Sequence, residues 1–100
     1  MKVGTDIIHI SRIKDLDEYA LKKMFHPSEL TNKEPLHLAG IIAVKESCRK
    51  IFPNSTWLDF EIKKLKSGKP VISSRFKFKG DVSISHDNEY AIAVVLAEDI

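Results

Sequence analysis

The chain has 100 residues, of which 43% are hydrophobic and 30% charged, and this composition is typical of one globular domain covering residues 1–100. Sixteen Lys and Arg residues against fourteen Asp and Glu residues leave a net charge of +2, which is too small to make nucleic acid the expected partner. The single cysteine, Cys48, excludes an internal disulfide and favours a reducing compartment, so we expect a cytoplasmic protein.

The size and the apolar runs of the chain limit how it can be arranged. The longest apolar run, residues 90–97, is far shorter than the roughly 20 residues that cross a bilayer, so we expect no membrane segment. A chain of this size buries only about 60–70% of its unfolded surface, which makes its core small. A partner subunit could cover the apolar surface that remains.

The first part of the chain predicts a strand and a helix. Residues 2–10 are rich in Val and Ile, which favours a strand. Asp6 shares a face of that strand with the apolar Ile8, so a carboxylate stands in line with core residues, at a place where Asp is uncommon. Ser11 is predicted to cap a helix over residues 12–24, where apolar residues recur at helical spacing.

A second helix and several strands follow. Pro27 predicts the start of a short turn that Pro35 closes, and residues 36–52 form the best helix candidate of the chain. After this helix, β-forming residues dominate, with turns at 66–70 and 87–89 between the strands. Strand, helices and then strands in this order predict an α+β fold, with an antiparallel sheet packed with a long helix.

The helix predicted over residues 36–52 has a stripe of unusual composition beside its broad apolar face. Ala39 and Ala43 are followed on this stripe by Glu46 and Lys50. Small residues beside an acid and a base could let another chain or a ligand approach closely. The alternative is an ordinary surface Glu–Lys pair, worth about a few tenths of a kcal/mol.

Three charged residues together favour a metal-assisted phosphoryl site. Asp6 and Glu46 could supply two carboxylate ligands, and Mg²⁺ takes one or two protein carboxylates together with water and phosphate oxygens. Lys50, one helical turn beyond Glu46, could neutralise the same phosphates. Asp6 could instead cap a turn or face solvent, in which case no metal site would form.

The remaining residues with reactive side chains carry weaker signals. His86 ends an alternating strand beside Ser83 and Ser85, and this group could bind phosphate, although a lone His is more often structural. The serines have no His and Asp partners at recognisable spacing, and Cys48 lies on the core face of its helix, so nucleophilic catalysis is not expected. The other histidines show no ligand-like spacing: His9, His26 and His37.

Residues 75–79 alternate basic and aromatic side chains and suggest another class of function. Nucleic-acid bases could stack on Phe76 and Phe78 between cations, as in a small single-stranded nucleic-acid binder. An amphipathic strand with both Phe rings buried explains the pattern more simply, and we favour it.

Short motifs spread over nearly the whole chain occur together in a recognisable order. They are Gly4-Thr5-Asp6-Ile7-Ile8, Ile10-Ser11-Arg12-Ile13, Phe25 to Leu30, Leu38-Ala39-Gly40, Lys45-Glu46-Ser47 with Lys50, Ser67-Gly68-Lys69-Pro70, Ser83-Ile84-Ser85-His86 and Tyr90-Ala91. With these motifs in this order, the chain resembles the holo-acyl-carrier-protein synthases of the 4′-phosphopantetheinyl transferase superfamily. The resemblance implies the fold of that superfamily.

The resemblance also implies a reaction. Such enzymes transfer the phosphopantetheine arm of coenzyme A to a serine of an apo acyl carrier protein, with Mg²⁺ as cofactor and release of adenosine 3′,5′-bisphosphate. Asp6 and Glu46 would then be the metal ligands and Lys50 the pyrophosphate-binding lysine, and these three would form the catalytic set. Either Glu46 or a metal-bound water would take the proton of the serine.

The same resemblance assigns binding residues and an assembly. The expected coenzyme A site consists of Lys45, Lys50, Ser67, Gly68, Lys69, Pro70, Ser85 and His86. The expected contact to the acidic carrier protein consists of Arg12, Lys14, Lys22 and Lys23. Charges of this kind mainly steer the encounter of two proteins. The small members of the family are homotrimers with active sites between subunits, which suits the small core.

Two departures from the family pattern predict a reduced variant of the fold. Ile41 stands where relatives usually have an arginine directly after Leu-Ala-Gly, so one contact to phosphate or partner is missing. The segment of residues 71–81 is short where relatives have a helix. These changes leave open a non-catalytic module of the same fold that binds coenzyme A or a carrier protein without turnover.

Overall fold

The computed structural model describes residues 1–100, which form five strands in two antiparallel sheets around one long helix. In chain order the elements are β1 (Lys2–His9), α1 (Ser11–Lys14), α2 (Glu18–Met24), α3 (Pro35–Ile51), β2 (Phe60–Lys64), β3 (Pro70–Ser74), β4 (Lys79–Asp87) and β5 (Tyr90–Glu98). The first sheet has the strand order β1-β5-β4, and the second consists of the hairpin β2-β3. Two 3₁₀ turns, Pro27–Leu30 and Trp57–Asp59, flank α3. The predicted α+β fold is therefore confirmed.

Helix α3 packs very closely on the three-stranded sheet because the facing residues are small. A Cβ atom at Gly4 of β1 would lie 2.1 Å from the carbonyl oxygen of Ser47 in α3, so only glycine fits there. Ala39 and Ala43 of α3 are fully buried. The expectation that these alanines leave room for another chain or a ligand is therefore wrong, since the protein's own core occupies that space.

The region between β1 and α3 differs from the prediction of one helix over residues 12–24. It forms two short helices, and Asp17 caps the second by accepting a hydrogen bond from the backbone N–H of Ala20 at 2.8 Å. A capping Asp stops the first helix although the apolar spacing continues. Ser11 does not act as a cap, because its hydroxyl lies 2.8 Å from Nδ1 of His9.

Pro35 also differs from its predicted role. It is the first residue of α3 and does not close the preceding turn. Proline is favoured at this position because its missing N–H would have no partner in the first helical turn.

The two aromatic side chains of the 75–78 segment face inward. The ring of Phe76 stacks on Phe52 with centroids 4.5 Å apart, and Phe78 lies 5.1 Å from the same ring. Nε of Arg75 donates to Asp59 at 2.7 Å. The segment itself is a loop and not the predicted strand, but the rings are packed in the core and do not form a platform for nucleic-acid bases.

An ion pair lies inside the core beneath α3. Nζ of Lys45 is 2.6 Å from Oε1 of Glu29, and both side chains are fully buried. Nζ also donates to the carbonyl of Met24 at 2.8 Å, while Glu29 accepts from the backbone N–H groups of His26 and Ile62. Burial lowers the pKa of Lys45, and Glu29 opposes this shift. The assignment of Lys45 to the coenzyme A site is therefore wrong, because its ammonium group is enclosed in the core and paired with Glu29.

Breaking this pair should destabilise the fold strongly. We expect Glu29→Gln to lower the free energy of unfolding by about 3–5 kcal/mol, because Lys45 would be left as a buried charge without a counterion. Urea denaturation followed by circular dichroism measures the loss. Lys33→Met, which removes the exposed pair of Lys33 with Glu18, is the control and should change the stability by less than about 1 kcal/mol. Equal effects of the two substitutions would contradict the structural role of the buried pair.

Candidate active site

The structure brings Asp6 and Lys50 together at the edge between β1 and α3. Nζ of Lys50 donates to the backbone carbonyl of Thr5 at 2.7 Å and lies 3.5 Å from Oδ1 of Asp6. Lys50 remains 58% exposed, so its other N–H donors are open to a ligand. Glu46 precedes Lys50 by one helical turn and shares its side of α3.

The second carboxylate oxygen of Asp6, Oδ2, lacks a partner within the protein. Oδ2 is buried and has no hydrogen-bond partner. A buried carboxylate oxygen without a donor is costly, and it is rare in folded proteins unless an ion or water occupies the site. The oxygen chemistry of Asp6 and Glu46 fits Mg²⁺, which needs only one or two protein carboxylates. The structure contains no group of three or more His, Cys, Asp or Glu side chains placed to hold a metal.

Glu46 is itself held by two side chains that the sequence did not predict. Nε1 of Trp57 donates to Oε1 of Glu46 at 2.6 Å, and a guanidinium nitrogen of Arg49 lies 3.4 Å from the same oxygen. The guanidinium of Arg49 also lies over the Trp57 ring, 4.5 Å from its centroid. Trp57 is the only tryptophan of the chain, and this was the one feature of the sequence that could have drawn attention to it.

A cavity of about 700 Å³ lies between the first half of α3, the β2-β3 hairpin and β4. His86, which lines this cavity, packs directly on α3 at Gly40, where a Cβ atom would lie 3.2 Å from Nε2 of the imidazole. The residues that give the cavity its chemistry are His37, Ile41, Lys63, Lys64, Gly68, Pro70 and His86. Gly68, Pro70 and His86 were predicted to lie in one binding site, and they do line one cavity.

The charges around this cavity favour an anion. Burial lowers the pKa of His37, and the nearby charges of Lys64 and His86 lower it further. The one acidic residue in the cavity wall, Glu29, forms an ion pair with Lys45, which offsets its negative charge. His37 was given no role from the sequence, because its proximity to His86 arises only from the packing of α3 against β4.

Three other residues predicted for the coenzyme A site do not line this cavity. Ser67 and Lys69 do not line the cavity, and Nζ of Lys69 pairs with Asp81 at 3.2 Å. Ser85 follows the two-residue alternation of β4 and points to the face opposite to His86. Ser67 and Lys69 therefore flank Gly68 in the same turn without lining the cavity, and Ser85 lies beside His86 in the chain but on the other face of β4.

Cys48 is not a nucleophile. Its side chain is fully buried, and burial raises the pKa of its thiol to about 12. The thiolate that attack requires is therefore not formed near neutral pH. The exclusion of cysteine chemistry made from the sequence agrees with this environment.

The four basic residues predicted to meet a partner protein are accessible. Arg12 and Lys14 lie on α1, while Lys22 and Lys23 lie in the last turn of α2. All four are exposed, and none of them takes part in an ion pair within the chain.

Comparison with known proteins identifies a family for this chain. Residues 2–95 match the family model described as ACPS, 4′-phosphopantetheinyl transferase superfamily. A holo-[acyl-carrier-protein] synthase of Nautilia profundicola is 38% identical over 109 residues, covering 94% of this chain and 96% of that protein. Its counterpart in Campylobacter jejuni is 37% identical over 112 residues, covering 95% of this chain and 97% of that protein.

Solved structures show the same fold. The holo-[acyl-carrier-protein] synthase of Helicobacter pylori in complex with coenzyme A has a TM-score of 0.85 and 31% identity, covering 97% of this chain and 100% of that one. The enzyme of Bacillus anthracis has a TM-score of 0.85 and 26% identity, covering 96% of this chain and 94% of that one.

These likenesses identify the class. The chain belongs to the 4′-phosphopantetheinyl transferase superfamily and is a transferase of its holo-acyl-carrier-protein synthase family. The alignment with the Nautilia protein extends over 109 positions although it contains only 94% of this chain, so the relative has residues that this chain lacks. No helix of the structure is long and apolar enough to span a membrane.

Occupation of the Asp6 site by a cation should be visible in thermal stability. We expect Mg²⁺ to raise the melting temperature of the wild-type chain, because the cation binds the folded state and supplies the missing partner of Asp6 Oδ2. We expect Asp6→Asn to fold with a stability within about 1 kcal/mol of wild type, since it loses only the 3.5 Å contact with the largely exposed Lys50 and removes a mostly buried charge. Its melting temperature should not respond to Mg²⁺. An equal response in both proteins, measured by differential scanning fluorimetry, would exclude Asp6 as a ligand.

Proposed function

We propose that this protein transfers the phosphopantetheine arm from coenzyme A to a serine hydroxyl of an apo acyl carrier protein, in a Mg²⁺-dependent reaction that releases adenosine 3′,5′-bisphosphate. The observation that carries this proposal is the orphaned oxygen of Asp6 beside the partly exposed ammonium group of Lys50. The single domain of residues 1–100 would contain the residues for this step, and the reduced Cys48 suits the cytoplasm.

The roles of the site residues follow from their contacts. Asp6 and Glu46 would hold Mg²⁺, which supplies charge stabilisation for the pyrophosphate of coenzyme A. Lys50 is tethered to the carbonyl of Thr5 and can direct its remaining donors at the same phosphate oxygens. The carboxylate of Glu46, or a water molecule, would accept the proton of the carrier serine.

The cavity offers a place for the nucleotide. Among the residues of α3 that line the cavity, Ile41 is nearest to Glu46 along the helix. It precedes Glu46 by five residues, a separation of about 7.5 Å along the helix axis. A long ligand such as coenzyme A can therefore reach both the cavity and the carboxylates. The cations of Lys63 and Lys64 face the cavity that Ile41 lines, and we propose that they bind the phosphate that an arginine at position 41 would otherwise contact.

The outer face of the three-stranded sheet supports a homotrimer. This face carries exposed apolar side chains: Val3, Ile7, Tyr90, Ile92 and Val94. Contiguous apolar surface of this kind usually marks a protein interface. We propose that copies of the chain meet through it, while Arg12, Lys14, Lys22 and Lys23 remain free to contact the acidic carrier protein.

The transfer itself is tested by intact mass spectrometry. An apo acyl carrier protein is incubated with this protein, coenzyme A and Mg²⁺. We expect it to gain the mass of one phosphopantetheine arm. EDTA should abolish the gain, and Asp6→Asn and Glu46→Gln should each reduce it by about 100-fold, since each removes the negative charge of a metal ligand. No gain with several carriers, from a folded sample that still binds coenzyme A, would contradict turnover and favour a non-catalytic binding module.

The carrier contact is tested in the same assay. Arg12→Ala should raise the KM for the carrier protein and leave the KM for coenzyme A unchanged, because an exposed charge mainly affects the encounter with an acidic partner. A higher KM for coenzyme A alone would show that Arg12 does not belong to the carrier surface.

The assembly is tested by light scattering on a size-exclusion column. We expect a mass of three times 11.4 kDa for the wild type and of one chain for Ile92→Asp, which places a charge in the centre of the apolar face. Leu65→Asp is the matched control, because Leu65 is also exposed but lies in the turn between β2 and β3. A wild-type protein that runs as a monomer would contradict the trimer.

A further inference from the structure

Both protein contacts of the Glu46 carboxylate fall on one of its oxygens. The indole N–H of Trp57 and the guanidinium of Arg49 reach Oε1 at 2.6 and 3.4 Å. Neither contact involves Oε2. The side chain is partly exposed, with 26% of its surface accessible, so one oxygen is restrained by the protein and the other is left for a ligand.

Trp57 is fixed in place by its own surroundings. It begins the 3₁₀ turn Trp57–Asp59, in which the backbone N–H of Thr56 donates to the Asp59 carboxylate at 2.8 Å and the backbone N–H of Asp59 donates to the Thr56 carbonyl at 3.1 Å. Asp59 is held in turn by Nε of Arg75 at 2.7 Å. The 75–78 segment, whose Phe rings pack in the core, thereby anchors the turn that presents the indole to Glu46.

Arg49 connects this turn back to α3. Its Nε donates to the carbonyl of Ser55 at 3.2 Å, and its guanidinium plane lies over the indole ring. A cation stacked on an aromatic face is favourable and restricts both side chains. Glu46, Arg49 and Trp57 therefore form one bonded unit, which we call the Glu46 clamp.

We propose that Trp57 is a positioning residue of the transferase, which holds Oε1 of Glu46 so that Oε2 is presented to the metal ion, with Arg49 supporting the indole. The proposal rests on the proposed function only in taking Glu46 as a metal ligand. Groups that orient a metal ligand from outside the coordination sphere typically affect metal affinity or activity by about 10–100-fold. A freely rotating Glu46 would also lose side-chain entropy on binding the metal.

The test measures metal binding without turnover. Mn²⁺ is used as the probe, and its free concentration is followed by electron paramagnetic resonance during titration of each folded protein. Trp57→Phe keeps an aromatic ring but lacks the N–H donor, so we expect its dissociation constant for Mn²⁺ to be about tenfold or more above wild type. Leu58→Ala, in the same 3₁₀ turn, is the matched control and should bind Mn²⁺ like the wild type.

Activity then separates positioning from a general loss of structure. At saturating Mg²⁺, Trp57→Phe should recover most of the wild-type kcat, with an unchanged KM for coenzyme A. The proposal would be overturned if Trp57→Phe bound Mn²⁺ with wild-type affinity while Glu46→Gln bound it more weakly. A wild-type protein that transfers phosphopantetheine but binds no Mn²⁺ through Glu46 would also overturn it. Failure of transfer alone would count against the proposed function only.

A measurement on the wild type covers the case in which Trp57→Phe does not fold. Trp57 is the only tryptophan, so the emission of the protein reports on the indole that contacts Glu46. We expect Mg²⁺ to shift the tryptophan emission of the wild type but not that of Asp6→Asn. An emission that stays constant while Mg²⁺ raises the melting temperature would overturn the coupling between Trp57 and the metal site.

Discussion

The site depends on how closely helix α3 approaches strand β1. At Gly4 the two backbones leave no room for a side chain, since a Cβ atom would lie 2.1 Å from the carbonyl oxygen of Ser47. Asp6 follows Gly4 on the same face of the strand, and Lys50 follows Ser47 by three residues on the helix. The tight contact therefore sets the distance between the carboxylate and the ammonium group, and a larger residue at position 4 would separate them.

The rotation of α3 is set by a second interaction. Lys45 and Glu46 are neighbours in the sequence but have different environments, because successive residues point in different directions around a helix. Lys45 enters the core and pairs with Glu29, whereas Glu46 reaches Trp57 at the protein surface. A buried ion pair contributes little net stability, but a wrong rotation of the helix would leave its charges unpaired. In this chain the pair thus helps to place Glu46 and Lys50 beside β1.

The segment of residues 71–81 supports the candidate site although it contains no helix. The 71–81 segment has no helix, and the Phe76 and Phe78 rings close the core there by packing on Phe52. The same segment supplies Arg75, which anchors the turn that carries Trp57. This segment thus contributes to the support of Glu46, and the cavity that Ile41 lines contains two lysines and two histidines.

The sequence by itself determined the elements whose signals are local. The long helix and the hairpins were predicted correctly, because apolar periodicity and turn residues act within a few positions. The break at Asp17 was missed, since a capping side chain outweighed a continuing apolar pattern. The association of Asp6, Glu46 and Lys50 came from the motifs and their resemblance to a family. Only the tertiary structure decided that Lys45 is buried, that His37 lies near His86, and that Trp57 binds Glu46. These outcomes depend on contacts between distant segments, and the packing of α3 on the sheets determines them.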